Sequence, residues 1–254
     1  MNIRERLYIA TYADKALETI KKHNLGMESN HICITENLDD DKTMDNLIND
    51  IKLSECEDRF IIHGPFTEII PMGIDRKLVK AGMDRLDSAA EFTLKAGAHR
   101  MVVHTGLITE MYYDSWHIEK SADFWQEFMA NKPGDFNIMI ENVFDKSPMA
   151  LKEIVDSIND ERIGICFDVG HANAIGGDYS VYDWIKMLGS RIKHFHIHNN
   201  YGKKDRHLPL GDGDIDYKEV FRCIDDYCES EVTYAIESMN CIDSVNWLIE
   251  EEYI

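Results

Sequence analysis

Eight short apolar runs alternate along this chain with eight amphipathic stretches, and that alternation is the strongest constraint on its fold. The runs are "RLYIATYA", "GMESNHICI", "RFIIHGPF", "HRMVVHTG", "NIMIENV", "RIGICFDVG", "IKHFHIHN" and "TYAIESM". After each, apolar residues recur at spacings of three and four, as in "KLVKAGMDRLDSAAEFTLKAG" and "YKEVFRCIDDYC", the period of a helix with one buried face. Strand then helix, eight times over, is the count that closes a parallel α/β barrel of the (β/α)8 type. An open doubly wound sheet would also alternate, but no GxGxxG follows the first run. The length of 254 residues suits one such barrel domain over 1–254, and no linker or composition break divides it. Ser147-Pro148 and Asp216 are placed to start helices, and Gly26, Gly97 and Gly189 to stop them.

The last six runs close alike, each on one ionisable residue: His63, His104, Glu141, Asp168, His196 and Glu237. In a parallel barrel the C-terminal strand ends meet at one mouth, so these side chains form a ring of three imidazoles and three carboxylates. One strand-end histidine or carboxylate is ordinarily just solvated. Six in matching places are not independent, and crowded carboxylates need protons or cations between them. Mixed nitrogen and oxygen donors suit a divalent metal such as Zn or Mn, at the C-terminal mouth. His171, three residues past Asp168, and the pair Asp205 and His207 bring the potential ligands to nine. In "KHFHIHNN" the three histidines share one strand face: His196 is the ligand, His194 lies deeper and is expected to be a buried hydrogen-bonded residue, and His198 lies nearer the rim. His198, with Asn199 and Asn200, is expected to touch a hydroxylated ligand or to support a metal ligand. Phe66, after the His63-Gly64-Pro65 turn, is the aromatic best placed to wall a pocket. Lys203, Lys204 and Arg206 offer either a phosphate grip or a solvated turn.

Totals exclude several classes. Lys plus Arg number 27 against 47 Asp plus Glu, a formal charge of −20, so most of the surface repels a nucleic-acid backbone. Nucleic acid is disfavoured as a partner without being excluded, because bound cations reverse the field locally. No segment has the length and apolarity of a membrane span, and "MNIRERLYIATYADKA" reads as a first strand rather than a signal peptide. Six cysteines without a CxxC pair fit a reduced, cytoplasmic chain.

The motifs "HGPF", "ENV", "FDVGH", "HFHIHNN", "DRHLPLGDGDID" and "IES" together resemble the xylose isomerase-like TIM-barrel superfamily, which includes sugar phosphate isomerases/epimerases and endonuclease IV. The resemblance runs from the first strand to the last helix. For the isomerase and epimerase branch it implies one divalent ion held by Glu141, Asp168, His196 and Glu237. The two glutamates then exchange a carbon-bound proton through a metal-stabilised enediolate, and His171 touches substrate oxygens. For the endonuclease IV branch it implies three zinc ions: His63, His104 and bridging Glu141 on one, Asp168, His196 and Glu237 on a second shared with Glu141, and His171, Asp205 and His207 on the third. The leading expectation is an isomerase or epimerase of a small sugar or sugar phosphate, with Glu141 and Glu237 catalytic. The alternatives are a zinc phosphoesterase acting on abasic DNA or a small phosphodiester, and a barrel that binds without turnover.

Overall fold

The computed structural model describes residues 2–175 and 177–254. Eight parallel strands close into a barrel: β1 (Leu7–Ala10), β2 (Gly26–Ser29), β3 (Phe60–His63), β4 (Arg100–His104), β5 (Asn137–Glu141), β6 (Ile163–Asp168), β7 (Ile192–Ile197) and β8 (Thr233–Ile236). Each pairs with the next, and β8 returns to β1 through Leu7 opposite Tyr234. The helices are α1 (Ala16–His23), α2 (Thr43–Ser54), α3 (Arg76–Ala96), α4 (Asp114–Met129), α5 (Pro148–Ile158), α6 (Val169–Ile175), α7 (Val181–Leu188), α8 (Tyr217–Tyr227) and α9 (Cys241–Glu250). This is the single (β/α)8 TIM barrel that the alternation implies.

Side-chain parity divides the core in two. Ile9, Met101, Val103, Ile138, Ile140, Phe167, Phe195, Ile197, Tyr234 and Ile236 face outward, into one apolar layer shared with the helices. Tyr8, Ile61, Val102, Met139, Cys166 and Ala235 point inward and form a small separate cluster. Period-two alternation then places His63, His104, Glu141 and Asp168 one step above that cluster, at the inward-facing C-terminal ends of β3 to β6. On β7 the parity is adjusted. Ile165 pairs with Ile192 but Cys166 pairs with His194, so Lys193 is an extra residue. This bulge keeps Ile192 in the outer layer and turns His194 and His196 inward.

Ser147 caps α5 by accepting from Met149 N, and Asp216 caps α8 by accepting from Lys218 N and Glu219 N. Gly97 ends α3 in the left-handed region and Gly189 follows α7, as expected. Gly26 does not stop a helix. Asn24, at φ 52°, terminates α1, and Gly26 opens β2, where a Cβ would overlap the Tyr8 ring inside the barrel. All eight strands end earlier than the apolar runs imply: 26–34, the largest change, shrinks to Gly26–Ser29, and 162–170 to Ile163–Asp168 because α6 begins at Val169.

Candidate metal centre

The ring expected at the mouth is assembled around Glu141, which is 1% exposed. Its Oε2 lies 3.3 Å from His63 Nε2 and 3.2 Å from His104 Nε2. Its Oε1 lies 3.3 Å from His171 Nδ1 and 3.2 Å from His196 Nδ1. Glu237, just past β8, brings Oε2 to 3.4 Å from His196 Nδ1. Asp168 accepts from His171 N at 2.6 Å and from His198 Nε2 at 3.1 Å, and Asn142 clamps it by bonding both its backbone N–H and its carbonyl. The loop after β7 contributes Asp205, whose Oδ2 lies 3.3 Å from His171 Nε2 and 2.8 Å from His207 Nε2. All nine expected residues therefore converge on one mouth.

Their donor atoms suit cations. His63, His171 and His207 each direct Nδ1 to a backbone carbonyl, of Gly64, Asn142 and Glu237 respectively. That fixes the ring and leaves Nε2 for the centre, as in metal-ligating histidines generally. The Nε2 atoms of His63 and His104 both face Glu141 Oε2, at 3.3 and 3.2 Å, longer than the roughly 2.7–2.9 Å of a charge-assisted hydrogen bond. His196 Nδ1 is fully buried without a hydrogen-bond partner. Among the described residues, donor atoms within 4.8 Å of one another form five overlapping groups: His63, His104 and Glu141; Glu141, Asp168, His196 and Glu237; and His171, His198, Asp205 and His207 at the mouth, and below them Glu28 with His63, His196 and Glu237, and Cys166 with His194 and His196. Two to three divalent ions fit this donor set, in imidazole and carboxylate character as well as in number.

Without such ions, neighbouring histidines carry the compensating charge. Burial pushes Glu141 up, but the imidazoles of His196 and His104 outweigh it and hold its carboxyl well below the usual range. Glu237 goes the other way: burial raises it, and the charges of Glu141, Glu28 and Asp168 add to this against His196. The two glutamates thus have opposite proton affinities. His207 is raised to about 9, burial being outweighed by its contact with Asp205 and the charge of Glu237. A folded-state value above the unfolded one of about 6.5 contributes stability fully below that pH and loses it as pH rises through about 9. The melting temperature of chelator-treated protein should therefore fall between pH 6.5 and 9. His207→Gln should flatten part of that slope; equal slopes would mean that His207 is not protonated in the metal-free fold.

His194 is a buried, hydrogen-bonded histidine. His198 is also fully buried, stacks on His207 at 3.9 Å and supports Asp168; Gly170 leaves it room, since a Cβ there would overlap its ring. Asn199 and Asn200 hold loops, bonding Leu210, Ile215 and Gly170, which takes them out of reach of a ligand. Phe66 stacks on His104 at 4.7 Å and walls a cavity of about 340 Å³ beside the ring with Ile69, Thr105 and Phe144. Lys203, Lys204 and Arg206 are exposed. Three residues were missed. Glu28, fully buried on β2, contacts His194 and His196. Tyr12 donates to the Glu237 carbonyl at 2.7 Å. Asn142 is the clamp on Asp168. A carboxylate at an inward position of a barrel strand was the available signal for Glu28, and the "ENV" motif that for Asn142; Tyr12 had none.

Residues 25–246 match the family described as xylose isomerase-like TIM barrel. The uncharacterized protein MJ1311 of Methanocaldococcus jannaschii is 30% identical over 207 residues, 76% of this chain and 70% of that one. Probable endonuclease 4 of Shouchella clausii is 29% identical over 180 residues, 63% of this chain and 60% of that one. The solved structure of a D-tagatose 3-epimerase-like protein superposes with a TM-score of 0.76 at 25% identity, covering 98% of this chain and 96% of that one. Barrel closure and the family match agree over nearly the whole length: the chain belongs to the xylose isomerase-like TIM-barrel family.

Proposed function

We propose that the chain is a divalent-metal-dependent phosphoester hydrolase acting on a small phosphodiester at the barrel mouth. The observation that carries this reading is that three of the donor groups lie wholly at the mouth, two of them joined through Glu141. A one-ion proton-transfer site needs only Glu141, Asp168, His196 and Glu237, and would leave His63, His104, Asp205 and His207 without a purpose. Bound ions would supply concentrated positive charge, which lowers the pKa of an attacking water and neutralises phosphoryl oxygens. The chain's own part is to hold that charge in a dry ring and to position the ester. Phe66 and Phe144 shield one side. Lys203, Lys204 and Arg206, exposed on the loop that carries Asp205, give a local cationic rim to an otherwise acidic surface. With a formal charge of −20, nothing draws a long duplex from a distance, so a small ester is the better fit than abasic DNA.

A second reading, sugar isomerisation or epimerisation, is favoured by one observation: Glu141 held low and Glu237 held high are the split pair that acid-base chemistry uses. The likeness to the D-tagatose 3-epimerase-like protein also supports it. Metal-reconstituted protein should cleave bis(p-nitrophenyl) phosphate and leave the C–H positions of ketoses unexchanged in deuterium oxide. Exchange without cleavage would reverse the order of the two readings. Cleavage of abasic duplex DNA, but not of the small ester, would replace the substrate class.

A further inference from the structure

Three of the large apolar side chains that the fold leaves exposed meet at one place. Phe66 of the loop after β3, Ile108 of the loop after β4 and Phe144 of the loop after β5 are 38, 37 and 52% exposed. All three line the cavity of about 340 Å³ that reaches His104 of the ring, and Ile69, Ile70 and Leu107 extend its apolar wall. Single exposed apolar residues are ordinary, whereas a contiguous set opening on a concave site marks a binding surface.

The walls of this cavity are fixed. Gly106, at φ 65°, brings the loop after β4 so close to the loop after β3 that a Cβ would overlap the Ile69 carbonyl oxygen. Asp145 ties the other side: its Oδ2 accepts from Val143 N at 3.2 Å and from Thr105 Oγ1 at 3.1 Å, joining the loops after β4 and β5. Phe66 stacks on His104 at 4.7 Å, and its backbone N–H donates to the Cys33 carbonyl at 3.1 Å.

The lining selects what fits. The Thr105 hydroxyl donates its proton to Asp145, Glu68 is exposed, and His104 belongs to the ring. A polyol here would leave hydroxyl groups against isoleucine, leucine and phenylalanine without partners, which is unfavourable. No lysine or arginine lines the cavity, so a further anionic group on the ligand would have no counter-charge. The adjoining cavity of about 610 Å³ shares Leu107 and Phe144. Glu110, Asp114 and Glu153 line it against one lysine, Lys146, whose Nζ lies 3.3 Å from Glu110, so it too disfavours anions. A flat apolar group, by contrast, can meet the phenylalanine rings in offset or edge contact.

We infer that the phosphoester taken at the mouth carries a neutral aromatic ring, seated in this cavity against Phe66 and Phe144. The phosphoryl end of that ligand rests on the hydrolase reading; the seat of the ring rests on the cavity alone. Leu107 and Ile108 are then specificity-determining residues.

The test is the affinity of the zinc-loaded chain for methyl, phenyl, carboxyphenyl and glycerol phosphate, by isothermal titration, with methyl-labelled NMR of leucine and isoleucine. Phenyl phosphate should bind about 10–100-fold more tightly than methyl phosphate, the scale on which a matched pocket discriminates small apolar groups. Carboxyphenyl and glycerol phosphate should show none of this gain. Leu107→Asn and Ile108→Asn should each remove most of the difference between phenyl and methyl. Phenol, which has no phosphoryl group, should shift the Leu107 and Ile108 methyl signals at millimolar concentration. Equal affinities for phenyl and methyl phosphate, with those signals unmoved by phenol, would overturn the inference. So would a full phenyl preference in Ile108→Asn, a change at an exposed side chain that does not threaten the fold. Cleavage of bis(p-nitrophenyl) phosphate without any phenyl preference would remove the ring and leave the hydrolase reading standing. If phenol shifts both signals while no phosphate ester is bound or cleaved, the seat of the ring stands and the hydrolase reading fails instead.

Discussion

Replacing Glu141 by glutamine is expected to reduce turnover by about 10²–10⁴-fold, the span usual for removing a positioned acid-base or charge-bearing group. The amide has the shape of the carboxylate but not its charge. Four imidazoles, those of His63, His104, His171 and His196, face its two oxygens at 3.2–3.3 Å. An amide NH₂ would set a donor against at least one of these nitrogens, and both donor groups that share Glu141 would lose their common anion. Bound metal should fall with activity, while the outer apolar layer, which Glu141 does not touch, keeps the barrel folded. Steady-state rates and metal content on the same preparation check this. A Glu141→Gln protein that keeps its full metal complement and more than a tenth of its rate would remove Glu141 from the centre.

The second large effect is on stability. Trp184 of α7 is 1% exposed and stacks on Phe167 at 5.6 Å; Phe167 meets Phe195 edge-on at 6.0 Å. These rings are the outer faces of β6 and β7, whose inner faces carry Asp168 and His196. Trp184→Ala should lower the unfolding free energy of metal-free protein by about 3–5 kcal/mol, a large part of the roughly 5–15 kcal/mol a domain has. Zinc should recover part of the loss by binding only the folded chain. The ring itself is untouched, so metal stoichiometry should survive wherever the variant folds. Urea titration with and without zinc measures both; a loss below about 1 kcal/mol would mean that the layer repacks around the gap.

Much of the mouth was legible because barrel strands leave a regular trace. Outward positions must be apolar to meet helices, and the last inward position of each strand is free to be polar. "MVVH", "IMIE" and "ICFD" print that rule directly. Glu28 escaped because it sits one layer lower, opposite Ile61, away from the strand ends that carry the other ionisable residues. The bulge at Lys193 has no mark in "RIKHFHIHNN": alternate histidines imply a shared face but not which face, and that depends on pairing with β6. His198 and Asn199 looked like ligand-facing residues, since nothing local shows that Asp168, 30 positions away, and Leu210 claim them. Gly26 resembled a helix stop because the sequence does not reveal that Tyr8 lies over it.

The metal assignment itself stands or falls on the metal content of each chain, read by plasma mass spectrometry on protein purified without chelator or histidine tag and then reconstituted with zinc or manganese. Two to three ions per chain, falling below one in Glu141→Gln, is the expected result. A chain that takes up no divalent metal would contradict it, leaving His63, His104, Glu141, Asp168, His171, His196, Asp205, His207 and Glu237 as a proton-balanced charge cluster.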